Sequence, residues 1–173
     1  MVHRTQLNKK IADLTGISKH TIDRIGVNLN KSGILKAGGR GRHAPDMGPE
    51  ELKTIILAML GAESTGRVFE TVLKLHAMES GENDNFGDIL LGICSDINKA
   101  SEVMQISVLR NYSQATIYWK DESGKRIGKM QDVKAATDKE QPGMRVVATL
   151  SGAVLIELVK LVYKPEPPAR EYY

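Results

Sequence analysis

Apolar residues recur at helical spacing from the start of the chain. Leu7, Ile11 and Leu14 fall at i, i+4 and i+7 on one face, and Thr15-Gly16 closes the run with a turn-permissive glycine. Ser18 fits an N-cap for a second helix whose stripe is Ile22, Ile25 and Leu29. That helix is expected to end near Asn30-Lys31-Ser32-Gly33, leaving Ile34-Leu35 as a short apolar anchor before the turn-rich stretch Gly38 to Pro45. Pro49 suits a first helical position and Glu50-Glu51 the positive dipole end, which predicts a third helix to about Leu60 with Leu52, Ile55, Ile56, Met59 and Leu60 inward. After the break Gly61 to Gly66, Val68, Phe69, Val72, Leu73 and Leu75 predict a fourth helix to about Glu79, and Phe86 to about Ile97 reads as a fifth.

From Val103 the pattern changes. Val103 to Leu109 and Ala115 to Trp119 are β-branched and aromatic with partial alternation, as strands are. Asp121-Glu122-Ser123-Gly124 is a hairpin turn candidate leading to a strand over Lys125–Met130, and Met144–Leu150 is a further candidate. Ser151 is placed to cap a last helix carrying Val154, Leu155, Leu158, Val159 and Val162, and Lys164-Pro165-Glu166-Pro167-Pro168 cannot continue it. The fold class is therefore α+β: a trihelical head, with or without a wing, then helices and a small antiparallel sheet closed by a C-terminal helix. The expected division is a head over 1–62 with a basic arm at 36–45, an α+β assembly or effector part over 63–163, and a Pro-rich tail over 164–173.

At 173 residues with 41% hydrophobic and 26% charged side chains, the chain has enough apolar surface to bury a core without disulfides or metal. No apolar run approaches a membrane span and the start lacks a hydrophobic signal region, so a cytoplasmic protein is expected. Cys94, the one cysteine, follows Ile89-Leu90-Leu91-Gly92-Ile93 and reads as a buried small hydrophobe. The net charge of +3 conceals an asymmetry: residues 1–45 hold nine Lys/Arg against two Asp and carry +7, while the other 128 residues carry −4. A basic head on a mildly acidic body suits a nucleic-acid-binding unit attached to an assembly unit.

Within that head, Ile11-Ala12-Asp13-Leu14-Thr15-Gly16-Ile17-Ser18-Lys19-His20-Thr21-Ile22-Asp23-Arg24-Ile25 resembles the helix-turn-helix of bacterial DNA-binding proteins, in particular lactose-repressor-type regulators. Ala12 is small where the helices would cross, Gly16 permits the turn, and Ile22 and Ile25 pin the second helix to the first. The resemblance covers about the first 60 residues, with Pro49–Leu60 as the third helix. It implies a major-groove recognition helix opening at Ser18, with Ser18, Lys19, His20, Thr21 and Arg24, together with Lys9 and Lys10 of the first helix, as DNA-binding residues. Asp23 would repel phosphate unless it faces a cytosine amino group, Arg24 or water. A plain helical hairpin with basic faces is the alternative.

Gly39-Arg40-Gly41-Arg42-His43-Ala44-Pro45 resembles an AT-hook, whose two arginines line a narrow minor groove, although Gly39 stands where a proline is usual. Arg40 and Arg42 could equally belong to a phosphate-gripping arm or a basic linker.

Other signals fail on context. Gly39-x-Gly41-x-x-Ala44 opens no helix, and Gly61 to Val68 has Arg and Val where a phosphate loop needs Lys and Ser/Thr. His3, His20, His43 and His76 show no metal spacing with one another or with Cys94. No nucleophile–base pair is legible, so neither an enzyme nor a cofactor is expected. The leading expectation is a sequence-specific transcriptional regulator that binds double-stranded DNA as a homodimer or higher homo-oligomer, with a protein partner for the second half as an open option. Alternatives are a packaging component resembling viral small terminase subunits, which assemble into rings, and a protein-interaction module with a trihelical shape.

Overall fold

The computed structural model describes residues 2–35, 46–80, 84–110, 114–120, 130–134 and 146–163. The chain is α+β. Its helices are α1 (Arg4–Thr15), α2 (Lys19–Lys31), α3 (Pro49–Gly61), α4 (Val68–His76), α5 (Phe86–Ser95), α6 (Ile97–Glu102) and α7 (Gly152–Val162), with a short 3-10 turn at Thr65–Arg67 before α4. Its strands are β1 (Glu79–Ser80), β2 (Val103–Leu109), β3 (Gln114–Trp119), β4 (Met130–Lys134) and β5 (Val147–Ser151), in the order β1-β4-β3-β2-β5 with every pair antiparallel. No described helix is long and apolar enough to cross a membrane.

Helix α3 is the packing centre. Leu52, Ile55, Ile56, Leu57, Ala58 and Leu60 are all buried, so it lacks the usual polar face and is covered by α2, α4, α5, α7 and the sheet. Lys53 is buried as well, its ammonium 2.5 Å from the Glu50 carboxylate that reaches out to water. At the far end of α3, Arg110 donates from its guanidinium to the carbonyls of Leu60 (2.8 Å) and Met59 (3.1 Å), satisfying acceptors the helix leaves open. The buried side chains form one continuous cluster from Leu7 to Val162, and the boundary expected at residue 62 falls between two helices packed on each other.

The sheet shows one face to this core. Ile106, Val108, Ala115, Ile117 and Leu150 are buried and paired across the ladder, Ile106 opposite both Ile117 and Leu150. Helices α3 and α7 both pack on β2 and β5. Gly152, the first residue of α7, sits so close to β2 that a Cβ there would lie 1.8 Å from the Val103 carbonyl oxygen.

Several element boundaries differ from the sequence expectation. The fourth helix stops at His76, because Met78 turns inward and its carbonyl accepts from Phe86 while the Ser80 amide donates to Asp84; Glu79–Ser80 becomes an edge strand. The fifth helix ends at Ser95. Asp96 is extended and its carboxylate accepts from the Asn98 amide, which starts α6, an element the apolar spacing did not separate. Of the strand expected over Lys125–Met130 only Met130 is described, and it opens β4 (Met130–Lys134); of that expected over Met144–Leu150, residues 144 and 145 lie outside the described residues and β5 runs Val147–Ser151. The turn at 121–124, the arm at 36–45 and the tail at 164–173 lie outside the described residues.

Candidate nucleic-acid interface

Helices α1 and α2 meet through a three-residue turn. Gly16 adopts φ +72°, a left-handed conformation in which a Cβ is strained, and its amide donates to the Ala12 carbonyl to close α1. Two residues later Ser18 caps α2: its hydroxyl accepts from the Thr21 amide at 3.2 Å and lies 2.8 Å from the Thr21 hydroxyl. The hydroxyls of Ser18 and Thr21 are thus engaged in forming the helix start. Leu7, Ile11, Ile22, Ile25 and Leu29 are buried, as their spacing predicts. Helix α2 leans on α3, whereas α1 packs on α7, so the pair is braced from two sides.

The opposite face of α2 is bare. His20, Arg24, Val27 and Lys31 are all exposed and follow each other at spacings of four, three and four, a stripe about 16 Å long. Among the described residues, His20 and Arg24 have no hydrogen-bond or ion-pair partner. Val27 and Lys31 lie beyond the helix's opening turns and were absent from the sequence-based contact set; their i+7 and i+11 positions relative to His20 were the available signal.

On one flank of the stripe, Asp23 is turned toward α1 rather than toward Arg24. Its carboxylate accepts from the Lys19 ammonium at 2.6 Å and from Asn8 at 2.9 Å. Arg4 of α1 lies over Gly26, where a Cβ would come 2.6 Å from the guanidinium, and its charge acts on the same carboxylate. Desolvation is the largest single influence on Asp23 and favours the neutral acid. The Lys19 and Asn8 hydrogen bonds and the Lys19 and Arg4 charges together outweigh it and hold the carboxyl below its ordinary range. For Arg4, burial dominates over the attraction of Asp23 and lowers its pKa. The acid in the middle of α2 is therefore neutralised from within, by residues of which only Lys19 had been singled out.

The other flank is the 3-10 turn and α4. Asn28 donates to the Thr65 carbonyl, and Phe69, 40% exposed, shares a shallow depression with Asn28, Lys31 and Ser32.

The remaining predicted contact residues are distributed unevenly. Lys19 is exposed but paired with Asp23. Lys9 is exposed on α1, while Lys10, one residue on, acts on Glu157 of α7 and so belongs to the α7 side. Arg40 and Arg42 lie outside the described residues, but the roots of their segment are fixed. Leu35 is buried with its amide on the Leu29 carbonyl, and at the far root the Val2 amide donates to Asp46 and the Met47 amide to the Val2 carbonyl. The described residues on either side of it, Leu35 and Asp46, are thus tied to the Lys31 end of α2 and to the N-terminal end of α1 respectively.

Elsewhere, a hollow of about 660 Å³ lies where α7 begins, lined by Met104, Gln105, Tyr118, Lys120 and Ser151 among others. Lys120 there donates to the Ser101 carbonyl. No group of three His, Cys, Asp or Glu among the described residues could hold a metal ion. Cys94 is fully buried, and desolvation pushes its thiol up to about 12 against the opposing charge of Lys53. No family model matches the chain, and neither a curated protein nor a solved structure matches it.

Proposed function

We propose that this protein is a sequence-specific DNA-binding protein, acting as a transcriptional regulator, in which α1 and α2 form a helix-turn-helix and α2 is the recognition helix. The observation that carries the reading is the bare stripe of α2. A helix entering a major groove needs an outward row of donors and small apolar groups, held rigid by a buried opposite face. His20 and Arg24 supply donors for base edges, Val27 an apolar group for a thymine methyl, and Lys31 a charge for phosphate. The acid between them is bonded to Lys19 and Asn8, which offsets part of the phosphate repulsion that Asp23 would otherwise bring. Arg40 and Arg42, on a segment rooted at the Lys31 end, would extend the footprint along the neighbouring minor groove or backbone.

The test is selection of bound sequences from random double-stranded DNA, then titration of the selected site at several salt concentrations. Arg24→Ala is expected to cost about 1–3 kcal/mol on the selected site and to relax preference at one position. Lys31→Ala is expected to weaken all sequences alike and make the salt slope shallower by about one. Failure of the intact protein to enrich any sequence would overturn the reading.

A further inference from the structure

We infer that β5 is a self-pairing edge through which two copies of this chain join into one continuous antiparallel sheet. Strand β5 ends the sheet order, pairing with β2 on one side, and no described strand lies on the other. Edge strands of monomeric proteins are usually protected by proline, a charged side chain or a bulge. Val147-Ala148-Thr149-Leu150-Ser151 has no proline and no charge, and its pairing with β2 is regular throughout. Val147 is 56% exposed.

The register follows from the ladder. The Arg110 amide donates to the Val146 carbonyl, and hydrogen-bonded pairs alternate in an antiparallel ladder, so Ala148 and Leu150 direct their backbone groups to β2. Val147 and Thr149 therefore direct their N–H and C=O groups outward. Placing Val147 of one copy opposite Thr149 of the other makes four hydrogen bonds about a two-fold axis at Ala148, since each residue then meets its counterpart's complement. The arrangement is its own mirror in sequence and closes at two copies. On the open face it stacks Val147 on Thr149 across the junction, a β-branched pair. On the face covered by α3 and α7 it puts the small Ala148 against its twin. The inference stands on the edge itself and does not require DNA binding.

Sedimentation or light scattering is expected to find the mass of two 19.0 kDa chains. Thr149→Pro removes an outward amide and leaves the bonds to β2 intact, so it should raise the dimer dissociation constant roughly ten- to a hundredfold without changing the circular dichroism, and should weaken the dependence of the thermal midpoint on protein concentration. Ala148→Cys should cross-link two copies under mild oxidation, because residues directly opposite in a non-hydrogen-bonded pair lie within disulfide reach. Val147→Cys should not, since two copies of that position are offset by two residues. The deeply buried Cys94 gives little background. A monomer at micromolar concentration, a ring of many copies, a dimer unaffected by Thr149→Pro, or cross-linking at position 147 in place of 148 would each overturn the inference. DNA affinity measured on the same Thr149→Pro protein separates the two proposals. Loss of the dimer with residual half-site binding supports both, and a dimer that enriches no DNA sinks only the functional reading.

Discussion

Helices α2 and α3 are each 13 residues long and lie against one another, yet they meet opposite surroundings. Along α3, side chains on every side are buried, including a lysine and a threonine, and the helix is the hub on which four other helices and the sheet converge. Along α2, Ile22, Ile25, Gly26 and Leu29 are buried while His20, Arg24, Val27 and Lys31 stand in water. One helix is read almost wholly by the protein; the other is half read by it, and its second face is left for something else. On the proposed function, stability and recognition would fall to adjacent helices, and a substitution in one should leave the other's property nearly intact.

The sharpest way to break that separation is Leu57→Ala, deep in α3. Loss of a fully buried leucine with its cavity should cost about 2–5 kcal/mol in urea unfolding, while the protein that remains folded keeps its DNA preference. Arg24→Ala should do the reverse, lowering affinity by about 1–3 kcal/mol and shifting stability by no more than about 0.5 kcal/mol. If the two variants affected both properties alike, the helices would not be divided in this way. Gly16→Ala sits between them. A side chain at φ +72° should cost about 1 kcal/mol of stability and, by loosening the turn that aims α2, lower DNA affinity to a smaller degree than Arg24→Ala.

The smallest expected effect concerns pH. Asp23 is held below its ordinary range in the folded chain, so its interactions stabilise fully above that range and are lost as pH falls through the depressed value. Asp23→Asn removes that dependence. Thermal midpoints of the two proteins should differ at neutral pH and converge as pH falls below the ordinary carboxylate range and through the depressed value; curves that stay parallel would show that Asp23 is not neutralised by α1 and Lys19.

How much of this was legible beforehand follows from what sequence spacing encodes. The stripes of α1, α2, α3 and α7, and the caps Ser18 and Ser151, are local patterns, and each element lies where its pattern placed it to within a few residues. Strand β1 left no pattern because it has two residues and exists by pairing with Lys134 and Val133, some fifty residues on. Helix α6 was invisible for a related reason: Asp96 ends one helix and caps the next in a single residue, so the apolar spacing runs on without a gap. At the candidate interface, the opening of α2 was readable, but the service of Asn8 and Arg4 to Asp23 depends on how two helices cross, and no spacing reports that.

Arg110 adds directional hydrogen bonds between the sheet edge and the packing centre, which already touch through apolar side chains. Its amide holds the foot of β5 through Val146, and its guanidinium grips the last carbonyls of α3, the helix on which α2 rests. The residue therefore works as a strut of fixed length between the sheet edge and the bare helix. In a pair of chains joined at β5, two such struts would turn the sheet into a ruler, holding both α2 helices at one separation. The protein would then tolerate a single spacing between half-sites, and inserting one base pair between them would be felt as strongly as losing a base contact.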